Sequence, residues 1–338
     1  MIDDAGKNKV RMLKVYEIMC RTDEKHPMNN TQICEELKRR FDIDADRKAV
    51  GRDLKCISAA GYEIMRCDNH NDGTYMVDQP YEDYELKILA DAVCSARFLT
   101  EKDTEDLLNK IKNTATYEGE EIITNTAFFD KNLKSDDKQN KNKIDKLIRA
   151  IRAGKKINFK YYEIGGDMRR HYKRNGHVYN VSPYFLALFN NEYFLIANSQ
   201  STNKAIHFRI EMIDELAITD EPARKIKEIE SFFDEEGQCI KPEEYLKNAL
   251  DMWSGKQTRV TLECKYDVTK DIQNTFGKNV KPFDRSKATF KVRVPVIDNQ
   301  GFYHWLAGKG TSVKIIAPEK VRTAYCGYLK EIADIYSK

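Results

Sequence analysis

Three short amphipathic runs at the start of the chain, each cut off by its own turn, constrain the fold more than any other feature. In residues 8–21, Met12, Tyr16 and Met19 recur at i, i+4 and i+7, with Leu13 and Cys20 widening the stripe. Asn30 is placed to cap a second helix over 31–41, in which Ile33, Leu37 and Phe41 repeat every four residues. After a polar turn, Asp46 can cap a third helix that runs to Ala60 and stops at Gly61, with Val50, Leu54 and Ile57 on one side. Helices of about a dozen residues are marginal alone, so these three must bury their stripes against one another.

Two β-prone runs follow, 62–67 and 74–77, separated by an Asp/Asn/His/Gly loop suited to a hairpin. Helix, turn, capped helix and hairpin is the order of a winged helix-turn-helix, expected here over residues 1–80. That module needs a third helix with one buried side and one basic, polar side for the major groove. Arg47, Lys48, Gly51, Arg52 and Lys55 lie on the non-apolar side, and Asn69 and His70 fall at the wing tip. These seven are the candidate DNA-binding residues. An exposed glycine costs a helix interior about 1 kcal/mol relative to Ala, so Gly51 is read as allowing close approach to a phosphate backbone. Residues 31–66 hold eight basic and seven acidic residues, so a dimer presenting two copies would help binding.

Charge is uneven along the chain. The whole carries 57 basic and 54 acidic residues, a net +3, which excludes a uniformly basic or polyacidic protein. Residues 131–174, however, hold fifteen basic against five acidic residues, and 211–251 hold thirteen acidic against five basic. The +10 block is a candidate polyanion site and the −8 block a solvated connector. No apolar run approaches the roughly 18 residues of a membrane span, and the first ten residues lack a signal-peptide stretch, so a cytoplasmic protein is expected. Eight scattered cysteines with no C-x-x-C pair argue for reduced thiols rather than zinc ribbons or disulfides.

Beyond the first module, 81–140 reads as a helical connector: Leu86, Leu89, Ala90 and Val93 line one face, helix continues over 104–111, and polar 131–143 reads as a flexible linker. Ile144, Leu147, Ile148 and Ile151 then form a helix ended by Gly154, followed by short strands at 157–161, 177–189, 192–198 and 205–212. One leading helix and several strands joined by tight turns suggest a small β-barrel over 141–221. An acidic connector, 222–256, leads to alternating strands and helices in an α+β unit over 257–338.

The middle segment resembles the WYL domain of bacterial transcription regulators. The matching residues are Ser182-Pro183-Tyr184, then Tyr193-Phe194-Leu195-Ile196-Ala197, then His207-Phe208-Arg209-Ile210-Glu211. Tyr193 and Phe194 replace the family's Trp and Tyr, and Met212 stands where a second Arg is frequent. The likeness extends to Arg52-Asp53-Leu54 with Gly61 and the wing, and to Gly301-Phe302-Tyr303-His304-Trp305-Leu306 through Ala317-Pro318, which resembles the usual C-terminal extension. The resemblance implies a multi-domain α+β fold: winged helix-turn-helix, a central SH3- or Sm-like β-barrel, and a C-terminal α+β extension. It further implies a homodimeric DNA-binding regulator whose barrel senses a nucleotide or single-stranded nucleic acid. Residue chemistry suits such an effector: Tyr184 and Tyr193 offer ring faces for stacking, and Lys173, His207 and Arg209 offer phosphate contacts. Strand alternation separates Tyr193 and Leu195 from Phe194 and Ile196, and Tyr193 is the one expected to face the ligand. The +10 block would gather the anion.

No nucleophile elbow, zinc-binding, Walker or dinucleotide motif is present, and the six histidines show no metal-ligand spacing. The expectation is therefore a non-enzymatic protein without cofactor or metal, binding an operator duplex and an anionic effector. The alternative is an accessory RNA- or single-stranded-DNA-binding protein that modulates a nucleic-acid enzyme through its WYL domain.

Overall fold

The computed structural model describes residues 4–67, 73–233, 237–242, 245–246 and 257–337. The chain divides into two compact units, Met1–Asp136 and Asp137–Lys338. The boundary falls inside the expected linker.

The first unit opens with α1 (Asp4–Met19), α2 (Asn30–Phe41) and α3 (Arg47–Ala59). Val15, Ile18, Leu37, Val50 and Ile57 meet in one core, closed from below by Met76. The cap of α2 is Asn29, one residue before the expected Asn30. Its side chain accepts from the amides of Thr31 and Gln32, and Gln32 answers with a bond to the Asn29 amide. Asp46 caps α3 as expected, accepting from Lys48 and Ala49. The Ala49 amide is the main influence holding the Asp46 carboxyl below the ordinary carboxylate range.

Strands β1 (Ile64–Arg66) and β2 (Thr74–Met76) form the antiparallel hairpin, Ile64 opposite Met76. The hairpin is tied to the start of α2 by a two-way bridge between Met28 and Thr74, both bonds 2.9 Å. α4 (Asp83–Ser95), α5 (Glu101–Thr114) and α6 (Tyr117–Thr126) then bury Leu86, Ala90, Leu108 and Ile123 together. α6 lies within the expected connector but beyond about Thr116, where the helical pattern of the sequence ends. Its first amides dock on the end of α1: Tyr117 donates to the Arg21 carbonyl and Glu118 to the Asp23 carboxylate, each at 2.9 Å. Lys134, in the supposed linker, donates to the carbonyls of Val93, Cys94 and Ala96 and so closes the end of α4.

The second unit begins with α7 (Asn140–Ala153), ended by Gly154 at φ +60°. Six strands follow: β3 (Lys155–Ile164), β4 (Arg170–Tyr172), β5 (Val178–Phe189), β6 (Glu192–Ser199), β7 (Ile206–Arg209) and β8 (Ile213–Pro222). They pair antiparallel in the order β4-β3-β5-β6-β7, with β8 on β3. Among the described residues no ladder joins β7 to β8. The small barrel expected from the sequence is thus an open sheet, because the 3-10 turn Ile210–Met212 ends β7 after four residues and redirects the chain to β3.

One face of this sheet packs Phe159, Leu195 and Phe208 against Leu147 of α7. The opposite face carries Phe194, Ile196 and Ala187 and is covered by Ile229, Phe232 and Tyr245 from the acidic connector. Tyr245 is almost wholly buried and its hydroxyl bonds His207 Nε2 at 2.7 Å. Burial pushes that phenol's pKa upward. Tyr245→Phe is expected to lower the unfolding free energy of this unit by about 1 kcal/mol, read by thermal denaturation. An unchanged melt would show that the bond does not contribute.

The remainder is β9 (Gln257–Lys265), α8 (Thr269–Phe276), β10 (Thr289–Ile297), α9 (Gln300–Ala307), β11 (Val313–Ala317) and α10 (Glu319–Tyr336). Its three strands pair antiparallel in the order β10-β9-β11. Phe276, Phe302, Leu306 and Val321 from the helices close over the sheet. No helix among the described residues is long and apolar enough to cross a membrane.

Candidate nucleic-acid interface

The exposed side of α3 lines a groove of about 870 Å³ whose other walls are the first turn of α2 and the hairpin. Arg47, Lys48, Gly51, Arg52 and Lys55 all line it, as expected from the sequence. The structure adds Asn29, Asn30 and Thr31 from α2, Ser58 from α3 and Arg66 from β1. None of the cations Arg47, Lys48, Arg52, Lys55 and Arg66 has an ion-pair partner among the described residues. This contrasts with neighbouring α2, where Lys38 pairs with Asp42 and Asp44, and Arg39 with Glu36. Asn69 and His70 lie outside the described residues.

Two internal contacts hold α3 in place. Asp53, 6% exposed, accepts a two-pronged hydrogen bond from Arg11 of α1, at 2.7 Å from Nε and 3.2 Å from Nη2. That bond raises the pKa of the Arg11 guanidinium above its ordinary value. Gly51 faces α2: a β-carbon there would stand 3.1 Å from Asn30 Nδ2, whose amide donates to the Arg47 carbonyl at 3.0 Å. The close approach that Gly51 allows is therefore filled by Asn30 of the chain itself. Position 66 could not be ranked with the α3 stripe from spacing, because only the hairpin register brings it across.

The five candidate effector residues are not gathered at one point. Lys173 follows β4, at the sheet edge opposite β7, and pairs with Glu163 at 2.9 Å. Tyr193 sits on the α7 side of the sheet with Leu195 and Phe208. Arg209 stands opposite Phe194 in the β6–β7 register and so shares the other face with His207 and Tyr184. Tyr184 packs edge-on against Phe232 at 5.5 Å, and burial pushes its phenol up to about 12. His207 is engaged by Tyr245. Arg209 Nη1 donates to Glu192 at 3.2 Å, with Glu211 3.9 Å away.

The +10 block is answered in space by the acidic one. Pairing of β3 with β8 sets Lys156 against Glu221 at 2.8 Å and Lys160 against Glu215 at 2.6 Å. Lys143 pairs with Asp137, a carboxylate of the basic block itself, at 2.6 Å. The strand ladder thus pairs two of the block's fifteen cations with carboxylates of the acidic block.

The sequence matches the WYL domain model over residues 142–218 and the WCX domain model over residues 256–333. Among solved structures, the chain is similar to proteasome accessory factor B/C of Arthrobacter aurescens, with 15% identity and a TM-score of 0.30 over 98% of this chain and 49% of that one. It is also similar to a CRISPR Cas-related protein, with 14% identity and a TM-score of 0.36 over 97% of this chain and 85% of that one. The chain therefore spans about half the length of the first of these structures. No curated protein matches the sequence. The chain thus carries a WYL domain, which holds the Pro-, Tyr-Phe-Leu- and Arg-bearing strands of the sheet, followed by a WCX domain.

Proposed function

We propose that the protein is a DNA-binding transcription regulator. Residues 4–77 act as a winged helix-turn-helix, α3 entering the major groove and the β1–β2 hairpin serving as the wing. The observation that carries this reading is the groove's row of exposed cations on α3 and β1, Lys48, Arg52, Lys55 and Arg66, none of which has a carboxylate partner among the described residues. An α3 of 13 residues is about 20 Å long, suited to a groove about 12 Å wide. Two copies related by a two-fold axis would read two half-sites about 34 Å apart.

The WYL sheet, in this reading an SH3- or Sm-like module, serves as the sensor, and its half-exposed Arg209 is the anchor for an anionic effector such as a nucleotide or single-stranded nucleic acid. The protein works by binding rather than by turnover. Footprinting on the promoter region of the protein's own gene tests the DNA reading, with Lys48→Ala and Arg52→Ala as controls. Each variant is expected to weaken protection about tenfold or more if its side chain reads a base, and less if it touches phosphate only. Unchanged protection in both would remove α3 from the interface.

A further inference from the structure

Arg209 is held by the chain's own carboxylates at the place where the effector reading puts an anion. β6 and β7 run antiparallel with Phe194 opposite Arg209, and alternation along β6 brings Glu192 onto the same face. Arg209 Nη1 donates to Glu192 Oε1 at 3.2 Å, and Glu211 Oε1 lies 3.9 Å from the same nitrogen. The guanidinium carbon stands 5.8 Å from the centre of the Phe194 ring. The Arg209 side chain is 42% exposed and that of Glu192 21%.

Both carboxylates converge on one nitrogen, and among the described residues neither Nε nor Nη2 makes a hydrogen bond. The fork is therefore only partly used, while the two acids against one base leave the patch net negative. Burial, and after it the neighbouring Glu192, raise the pKa of Glu211, so this crowding is unfavourable to the charged pair. An ion pair this exposed is worth little, which makes it exchangeable for a ligand oxygen. A phosphate gripping the guanidinium end-on, through Nη1 and Nη2, needs the nitrogen that Glu192 holds.

We propose that Glu192 is an internal stand-in for a phosphate group, competing with a phosphate-bearing effector for Arg209 and setting its affinity. The proposal rests on the effector reading above. Glu192 yields Arg209 when a phosphate arrives, and the strength of this one contact sets the concentration at which the sensor responds.

The test uses the full chain and two probes, ATP and a fluorescein-labelled oligothymidylate, with binding followed by calorimetry and by anisotropy. Glu192→Gln keeps the shape of the side chain and removes its charge. It is expected to tighten binding of one probe about three- to fivefold, and the probe that responds identifies the source of the phosphate as nucleotide or nucleic acid. The gain must vanish in the Glu192→Gln, Arg209→Ala double variant. If Arg209→Ala weakens binding while Glu192→Gln changes nothing, the competition is overturned and the effector site stands. If Arg209→Ala has no effect in either background, or neither probe binds Glu192→Gln, the effector reading falls and the proposal with it.

Discussion

Gly73→Val is expected to detach the hairpin from α2 and to cost the N-terminal unit about 3 kcal/mol. Gly73 stands at φ +103°, and a β-carbon there would lie 2.3 Å from the Met28 carbonyl carbon and 2.5 Å from the Asn29 amide nitrogen. Both neighbours are backbone and cannot swing aside. A β-branched residue in that conformation adds strain of its own. The Met28–Thr74 bridge and the Asn29 cap sit against the same atoms, so the start of α2 would be disturbed together with the strand. The melting temperature of the unit should fall by roughly 10 °C, and amide exchange in 64–66 and 74–76 should accelerate first. A melt within a degree of the parent protein, with protected hairpin amides, would show that the close approach is not formed.

Arg11→Met should be nearly as damaging, for an electrostatic reason. It leaves the Asp53 carboxylate inside the α1–α3 contact without its two-pronged partner. Removing one member of a largely buried pair costs more than the pair contributes, because the remaining charge keeps its desolvation penalty. A loss of roughly 2–3 kcal/mol is expected in denaturant unfolding, scaled down because the guanidinium is partly wet. Adding Asp53→Leu should restore most of it. A double variant as unstable as the sum of the two single variants would mean that the residues do not interact.

The elements that could be read from the sequence were those with local signals. Asp46 and Gly61 bracket α3 because a cap acceptor and a left-handed terminator act within one turn, and Gly61 does stand at φ +106°. The alternation of strands and helices over 257–338 followed from alternating periods. α6 was missed: its Glu118-Gly119-Glu120-Glu121 start carries little apolar signal, although Thr116 supplies a cap by accepting from the Gly119 amide. The α3 half of the groove was legible because Lys48, Arg52 and Lys55 share a helical face; Arg66 reaches it only through the hairpin. The effector candidates were chosen from strand neighbours in sequence, but Tyr193 and Arg209 project from opposite faces once β6 pairs with β7. Nor could spacing show that Lys156 and Lys160 meet Glu221 and Glu215, since those contacts are made by pairing across about sixty residues.

The central claim is that duplex DNA binds along α3, and salt dependence tests it most directly. Anisotropy of the full chain on a short labelled duplex, between about 50 and 200 mM salt, gives the slope of log affinity against log salt. The slope should become shallower by about 0.9 for each phosphate contact removed, so the Lys48→Ala, Arg52→Ala double variant should bind more weakly and with a flatter line. The same affinity and the same slope in the double variant would contradict the assignment of α3 as the DNA-binding helix.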